Sequence, residues 1–310
     1  MTLEKCFDEL GRRASVDAVP MTPESLACDE TSDPAMLCAD PQVSVFIPMY
    51  NLGPRLDEAL AGVMAQEADF PFEVVLCDDC STDDTVALAE AWGRRYPEKV
   101  RLLRARQNAG ALRTRLRAQR YCRAPWIALL DGDDLWTDPG KLRKQLALLR
   151  KSGAVMTAAF SEVLLPGGKR ERYTCPITPF VTPKVFVNRY LQTSTYVYSR
   201  AAAEEALRRV ALLPESVAVY RRLGDGMSSQ MDKLRFECFM RWRFLGLFLY
   251  GPHTLRHLFL ANLLKGIRHT WPLVDDDTRP LLRDTATLAH ARAPWSWAVH
   301  REWRKLRALF

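Results

Sequence analysis

Two periodicities alternate along this chain. "VSVFI" (43–47) is a short β-branched run closed by Pro48, and "RLDEALAGVMAQ" (55–66) sets Leu56, Leu60, Val63 and Met64 on one helical face. The same alternation continues through "FEVVLC" (72–77), a helix over about 83–95, "VRLLRA" (100–105), a helix over about 110–122, "WIALLD" (126–131) and the amphipathic "KLRKQLALLRK" (141–151). Apolar strands bounded by turn residues and separated by helices are successive βαβ units. They predict an α/β fold with a Rossmann-like, mostly parallel sheet flanked by helices. After residue 151 the signal weakens. "AVMTAAFSEVLLPGGKRERYT" predicts two strands about a Pro-Gly-Gly turn, "STYVYS" (194–199) a further strand, and residues 201–210 an Ala- and Arg-rich helix.

A sheet of this kind opens its binding crevice at the carboxyl ends of its strands. After the first strand stands "PMYN", after the second "DDCSTDD", and after the fourth "DGDD". Clustered carboxylates repel an anionic ligand unless a divalent cation lies between them and it. "DGDD" supplies two carboxylates for such a cation: Asp133 as ligand, and Asp131 in direct or water-mediated contact with the metal or with a sugar-ribose region. Gly132 is expected to let the backbone approach a ligand closely. Asp134 either touches the ligand or caps the turn. Asp83, Asp84 and Asp138 stand where helix-start residues accept backbone N–H bonds. Cys77 and Cys80 have C-x-x-C spacing, but no second pair completes a structural zinc site, so Cys77 reads as a buried strand residue and Cys80 as a small loop residue.

Taken in order and at their intervals, "VSVFIPMYN", "EVVLCDDCSTDDT", "NAGALRTR" and "WIALLDGDDLWTDPGKLRKQ" resemble the nucleotide-sugar half of the family-two inverting glycosyltransferases, which have the GT-A fold. The resemblance covers about residues 43–160, with 161–235 as the acceptor half. It implies Pro48 in the donor site, Tyr50 stacking on the nucleobase, Asp79 in a base-edge hydrogen bond and Asp78 supporting that loop. It also implies Arg115 near the nucleotide, and Asp131 and Asp133 as a DXD motif holding Mn2+ or Mg2+. Leu116 replaces an asparagine that often follows the arginine, and Cys80 takes a position usually held by Gly, Asn or Ser. Inverting transfer needs a general base on the acceptor side. Similar enzymes carry an acidic residue, often in a Glu-Asp pair, somewhat under a hundred residues past the DXD. Asp225 in "YRRLGDGMSSQ" falls there, with Gly224 in place of the Glu, and Asp232 and Glu215 as rivals. The implied reaction moves a sugar from a nucleotide-diphosphate donor, a UDP-sugar in the family's manner, to a saccharide or lipid-linked acceptor in cell-surface glycan synthesis.

Two other classes compete. A sugar-1-phosphate nucleotidyltransferase would need a Gly-rich phosphate loop after the first strand, which "IPMYNLGPR" lacks. A degenerate nucleotide-sugar-binding protein would not need the D-G-D-D that is retained here.

Charge changes the picture at both ends. The formal net charge of the 310 residues is +7. Residues 1–40 carry three basic and nine acidic side chains and read as an acidic, loosely ordered lead-in. Residues 233–274 carry seven basic side chains against Glu237 alone, interleaved with aromatics. The basic, aromatic region 236–310 is expected to be helical and to meet either an anionic membrane surface or the catalytic domain, and no nucleic-acid partner is expected. In "HTLRH", Thr254 stands where a zinc-protease motif needs glutamate. Eight irregularly spaced cysteines, no signal-like apolar start and no uninterrupted membrane-length run point to a cytoplasmic protein, peripheral at most.

Overall fold

The computed structural model describes residues 27–174, 180–181, 192–201, 210–221, 256–273, 276–293 and 295–310. The described residues up to 221 form one compact unit and those from 256 onward a second. In the first unit β1 (Cys28–Glu30), β2 (Val43–Met49), α1 (Arg55–Met64), β3 (Phe72–Asp78), α2 (Thr85–Arg95), β4 (Val100–Ala105), α3 (Ala111–Tyr121) and β5 (Trp126–Leu129) come first. They are followed by β6 (Leu135–Trp136), α4 (Lys141–Ser152), β7 (Met156–Leu164), β8 (Arg170–Tyr173), β9 (Phe180–Val181), β10 (Val197–Ser199) and β11 (Val210–Arg221).

One mixed sheet runs in the order β1-β4-β3-β2-β5-β10-β7-β11-β6. Its β4-β3-β2-β5 section is parallel, as the βαβ reading requires. The mostly parallel expectation fails beyond β5. There β10 runs antiparallel to both β5 and β7, β11 pairs antiparallel with β6 and β9, and only β7 and β11 run parallel.

Both faces of the parallel section are covered. Val43, Val45, Ile47, Val74 and Leu76 pack with Leu56, Leu60 and Val63 of α1 and Leu142, Leu146 and Leu149 of α4. Phe46, Val75, Cys77, Ile127 and Leu129 point the other way, onto Ala118 of α3 and Cys122. Two-sided burial is why these strands read as continuous apolar runs. Each fully buried Leu or Val contributes about 2 kcal/mol of apolar burial.

Opposite the cleft, the amino-terminal ends of the strands are tied by charge. Glu73, fully buried, accepts from Ser44 Oγ (2.6 Å), the Arg123 amide (2.8 Å) and Arg123 Nε (2.7 Å), with Arg101 Nη1 at 3.4 Å. Arg101 also makes a two-pronged pair with Glu30 of β1 (2.8 and 2.9 Å). This corrects part of the loosely ordered lead-in, because Cys28–Glu30 is a strand registered on β4 and its acidic side chains meet Arg101 and Arg106. Residues 1–26 lie outside the described residues.

Two further expectations change. "STYVYS" is a strand only over Val197–Ser199, because Thr193–Thr195 form a 3-10 turn. Val210–Arg221 is a twelve-residue strand, and its register shifts between Leu213 and Ser216, where Pro214 interrupts the ladder. Most of the helix expected at 201–210 lies outside the described residues, and Val210 already belongs to β11.

The second unit contains α5 (Arg256–Thr270), α6 (Arg279–Arg292) and α7 (Trp297–Arg307). Both α6 and α7 pack on α5, through buried Leu260, Leu263, Leu264, Ile267, Leu282, Ala286, Val299 and Leu306. Among the described residues, no helix is long and apolar enough to cross a membrane.

Candidate active site

Three loops meet at the carboxyl ends of β2, β3 and β5. The first two are stitched together by their own polar atoms. Asn51 accepts from the Thr82 amide (2.8 Å) through its Oδ1 and donates its amide to Ser81 Oγ (3.0 Å), while Thr85 Oγ1 accepts from the Leu52 and Gly53 amides (2.8 and 3.0 Å). Buried Asp78 closes the second loop by accepting from the Ser81 amide (3.1 Å) and Ser81 Oγ (2.5 Å). Within that turn Cys80 has φ +66°, the left-handed region where glycine and asparagine are favoured. Its Sγ donates to the Ala105 carbonyl (3.2 Å). Tyr50, half exposed, directly follows β2.

Asp79 is tied into the turn that opens α3. It is 3% exposed, and its two oxygens accept from the Ala109 amide (3.0 and 3.2 Å), the Gly110 amide (2.8 Å) and Arg117 Nη1 (3.1 Å). Three donors thus engage the carboxylate, the Ala109 amide being shared between its two oxygens. Asp79 thereby holds the 109–110 turn at the start of α3, where Gly110 has φ +86°.

The D-G-D-D turn after β5 is held from the side by Thr193 and Ser194. Thr193 Oγ1 donates to Asp131 Oδ2 (2.7 Å), and Ser194 Oγ accepts from the Asp131 amide (3.1 Å) while donating to Asp134 Oδ2 (2.5 Å). Trp136 Nε1 donates to the Ser194 carbonyl (2.8 Å). Arg115, from α3, forms an ion pair with Asp131 Oδ1. Gly132 is explained by crowding rather than by a ligand. A Cβ there would lie 2.3 Å from Leu52 Cδ1 and 3.1 Å from the Pro48 carbonyl oxygen.

The carboxylates of this turn are electrostatically unlike. Burial, then the neighbouring Asp131 charge, pushes the Asp133 carboxyl above its usual range, and Arg55 and Arg221 only partly oppose this. Asp134 is 1% exposed and is pushed well above that range by burial and by Asp131 and Asp133. Its remaining oxygen accepts from the Arg221 amide (3.1 Å) at the end of β11.

Residues 44–207 match the sequence profile of Glycosyl transferase family 2. The chain belongs to that family. An uncharacterized protein of Mycobacterium tuberculosis is 29% identical over 219 residues, 63% of this chain and 63% of that one. The succinoglycan biosynthesis protein ExoO of Rhizobium meliloti is 32% identical over 133 residues, 43% of this chain and 36% of that one. The chain thus spans less than two thirds of the length of the curated relatives it matches. The fold of this family 2 member is that of GT-A structures. S. aureus TarS superposes with a TM-score of 0.56 at 18% identity, over 86% of this chain and 54% of that one. Its 1–349 form in complex with UDP-GlcNAc gives 0.50 at 19% identity, over 86% and 90%. A Pyrobaculum calidifontis mannosyltransferase in complex with GDP-Man and Mn2+ gives 0.52 at 17% identity, over 99% and 93%.

Against this family pattern, the structure brings Pro48, Tyr50, Asp78, Asp79, Arg115, Asp131 and Asp133 to one rim of the sheet. Asp225 and its rival Asp232 lie outside the described residues. Glu215, the other rival, is on β11 and pairs with Lys144 (2.5 Å). Cys77 is fully buried in β3, and burial drives its thiol up to about 12. The residues missed from sequence are Thr193 and Ser194, whose only signal was a polar "TST" ahead of a strand.

The donor set can be tested against a divalent cation. Among the described residues no group of three His, Cys, Asp or Glu is arranged to hold a metal, so a closed protein cage does not fit. An open site does. Asp131 is engaged by Arg115 and Thr193, whereas Asp133 is buried beside the Asp131 charge, which Arg55 and Arg221 only partly offset, a condition a cation relieves. Mg2+ or Mn2+ bound through one or two carboxylates, with phosphate oxygens and water completing the shell, matches that arrangement.

Proposed function

We propose that this protein is a metal-dependent, inverting glycosyltransferase of hexosyl type, taking its sugar from a nucleoside-diphosphate donor, UDP-linked in the first instance. The observation that supports this reading most directly is the unlike pair in one turn, with Asp131 committed to Arg115 and Thr193 and the Asp133 carboxyl pushed up by burial and by the Asp131 charge. Asp133 would be the principal metal ligand, with Asp131 beside it. The bound cation supplies charge neutralisation at the departing diphosphate.

The other steps fall to the chain itself. Tyr50 offers a face for the nucleobase at the end of β2, and Pro48 shapes the strand end beside it. Asp78 and Asp79 shape the two walls around the base, by closing the 78–81 turn and holding the 109–110 turn. Arg115 fixes Asp131 and places a guanidinium beside the diphosphate. Asp225 is proposed as the base that takes the acceptor proton. TarS bound to UDP-GlcNAc, the mannosyltransferase bound to GDP-Man and Mn2+, and the role of ExoO in succinoglycan biosynthesis support a sugar-nucleotide donor, a divalent cation and a polysaccharide or lipid-linked acceptor. We also read 41–235 as the transferase domain and 236–310 as the region that presents it to an anionic membrane.

The experiment is a donor panel of UDP-GlcNAc, UDP-glucose and GDP-mannose, with Mn2+ or EDTA. Nucleoside-diphosphate release from one donor that stops in EDTA is the expected result. Release that persists in EDTA removes the cation from the mechanism. A donor that binds without turnover returns the reading to a nucleotide-sugar-binding protein.

A further inference from the structure

Among the described residues, the most exposed large apolar side chains are Trp295 and Trp297, at 76% and 71%. They flank buried Ser296 at the start of α7. The core-facing stripe of this helix is already filled by Val299, Glu302 and Leu306. Its outer face is different. Trp297, Arg301 and Lys305 follow at four-residue spacing, so they form one row, and Arg304 is exposed beside it. The Arg301 guanidinium lies over the Trp297 ring, 4.8 Å from its centroid, a cation–π arrangement at the surface.

The charge on α7 is one-sided. Its single acid, Glu302, is buried and is held by Arg301 (3.0 Å), Lys305 (3.7 Å) and, from α5, Arg268 (3.8 Å). Arg304 and Arg307 add to the positive face without an acid of their own on the helix. Exposed tryptophans cost free energy in water and gain at the headgroup level of a bilayer. Lys and Arg gain where the bilayer is anionic. Either feature alone is ordinary on a protein surface; here they occupy one helix face.

We infer that the outer face of α7, Trp297, Arg301, Arg304 and Lys305, together with the adjoining Trp295, is a docking surface for an anionic lipid bilayer. This deepens the membrane part of the proposed function by naming the surface, and it stands without any assumption about the donor. The tryptophans enter the interface, and the basic row meets the headgroups. No membrane span is required. Such binding is reversible and weakens as salt screens the headgroups.

The test is flotation of the full chain with vesicles of phosphatidylcholine alone or mixed with phosphatidylglycerol, at low and high salt. Binding is expected only to the anionic vesicles and to fall with salt. Arg304→Gln with Lys305→Gln should lower partitioning about thirtyfold. Trp295→Ala with Trp297→Ala should also lower it and remove the blue shift of tryptophan emission on binding. Both pairs change exposed positions, and unchanged melting temperatures confirm that the variants are folded. The inference is overturned if the wild type ignores anionic vesicles at low salt. It is also overturned if both double variants bind as the wild type does, or if they instead dissociate a dimer seen by light scattering. UDP binding measured on the same samples separates the two readings, since its failure would strike the donor assignment and leave vesicle binding untouched.

Discussion

Ser194 Oγ donates to Asp134 Oδ2 at 2.5 Å and accepts from the Asp131 amide at 3.1 Å. One hydroxyl thus locks both ends of the D-G-D-D turn, from sixty residues further along the chain. Asp134, pinned in turn by the Arg221 amide (3.1 Å), joins that turn to the end of β11. Ser194→Ala leaves two buried polar groups each short of a partner. The expected cost is about 1–3 kcal/mol in urea unfolding, accompanied by weaker Mn2+-dependent nucleotide binding. A variant with unchanged stability and unchanged binding would show that the lock is incidental.

Asp79 and Arg117 are a buried pair, 3% and 0% exposed. Removing one charge from such a pair costs about 3–5 kcal/mol, because the other is left buried and uncompensated. Asp79→Asn should therefore destabilise the whole domain, lowering the urea midpoint. A variant of normal stability with only weakened nucleotide affinity would point instead to a direct contact with the base.

Gly132→Ala tests the account of the close approach at the cleft floor. The new methyl meets Leu52, which can shift, and the Pro48 carbonyl oxygen, which is backbone. Overpacking of this kind costs about 1–3 kcal/mol. Because the strain falls between the β2 and β5 loops, donor affinity should drop with it. Wild-type affinity and melting temperature together would contradict the packing argument.

The parallel half of the fold was legible because its strands are buried on both faces and leave unbroken apolar runs such as "VSVFI" and "FEVVLC". The acidic turns at their ends were legible for the same topological reason. What was hidden depends on partners remote in sequence. The amides and guanidinium that engage Asp79 lie thirty or more residues away, so its role in holding the 109–110 turn leaves no local pattern. Thr193 and Ser194 carry no local pattern, since their work is done across sixty-odd residues on Asp131 and Asp134. β11 was obscured by Pro214, which breaks the alternation by which strands are read. Cys80 departed from the usual Gly, Asn or Ser, and its positive φ supplies the physical reason for that preference.

Glu73 gives a pH signature. Burial alone would push its carboxyl up, but bonds from Ser44 and Arg123, with the Arg101 charge, outweigh burial and hold it below the ordinary carboxyl range. A depressed folded-state value stabilises the fold fully above the unfolded-state value and loses that contribution as pH falls through the folded one. Acid unfolding below about pH 4.5 should therefore be steep in the wild type and flatter in Glu73→Gln. The variant should already be about 3 kcal/mol less stable at pH 7, with Arg101 and Arg123 left facing a neutral amide. Parallel acid-unfolding curves for the two proteins would remove Glu73 as a contributor.

We propose that Asp133 presents a carboxylate through which a divalent cation would join a nucleoside diphosphate to the D-G-D-D turn. It is tested most directly by calorimetric titration of UDP into the protein with Mn2+, with EDTA, and into Asp133→Asn with Mn2+. The account predicts saturable binding with Mn2+ that falls at least tenfold in EDTA, and a comparable fall for Asp133→Asn in Mn2+, a difference of about 1.4 kcal/mol. Equal UDP affinity in all three titrations would contradict it.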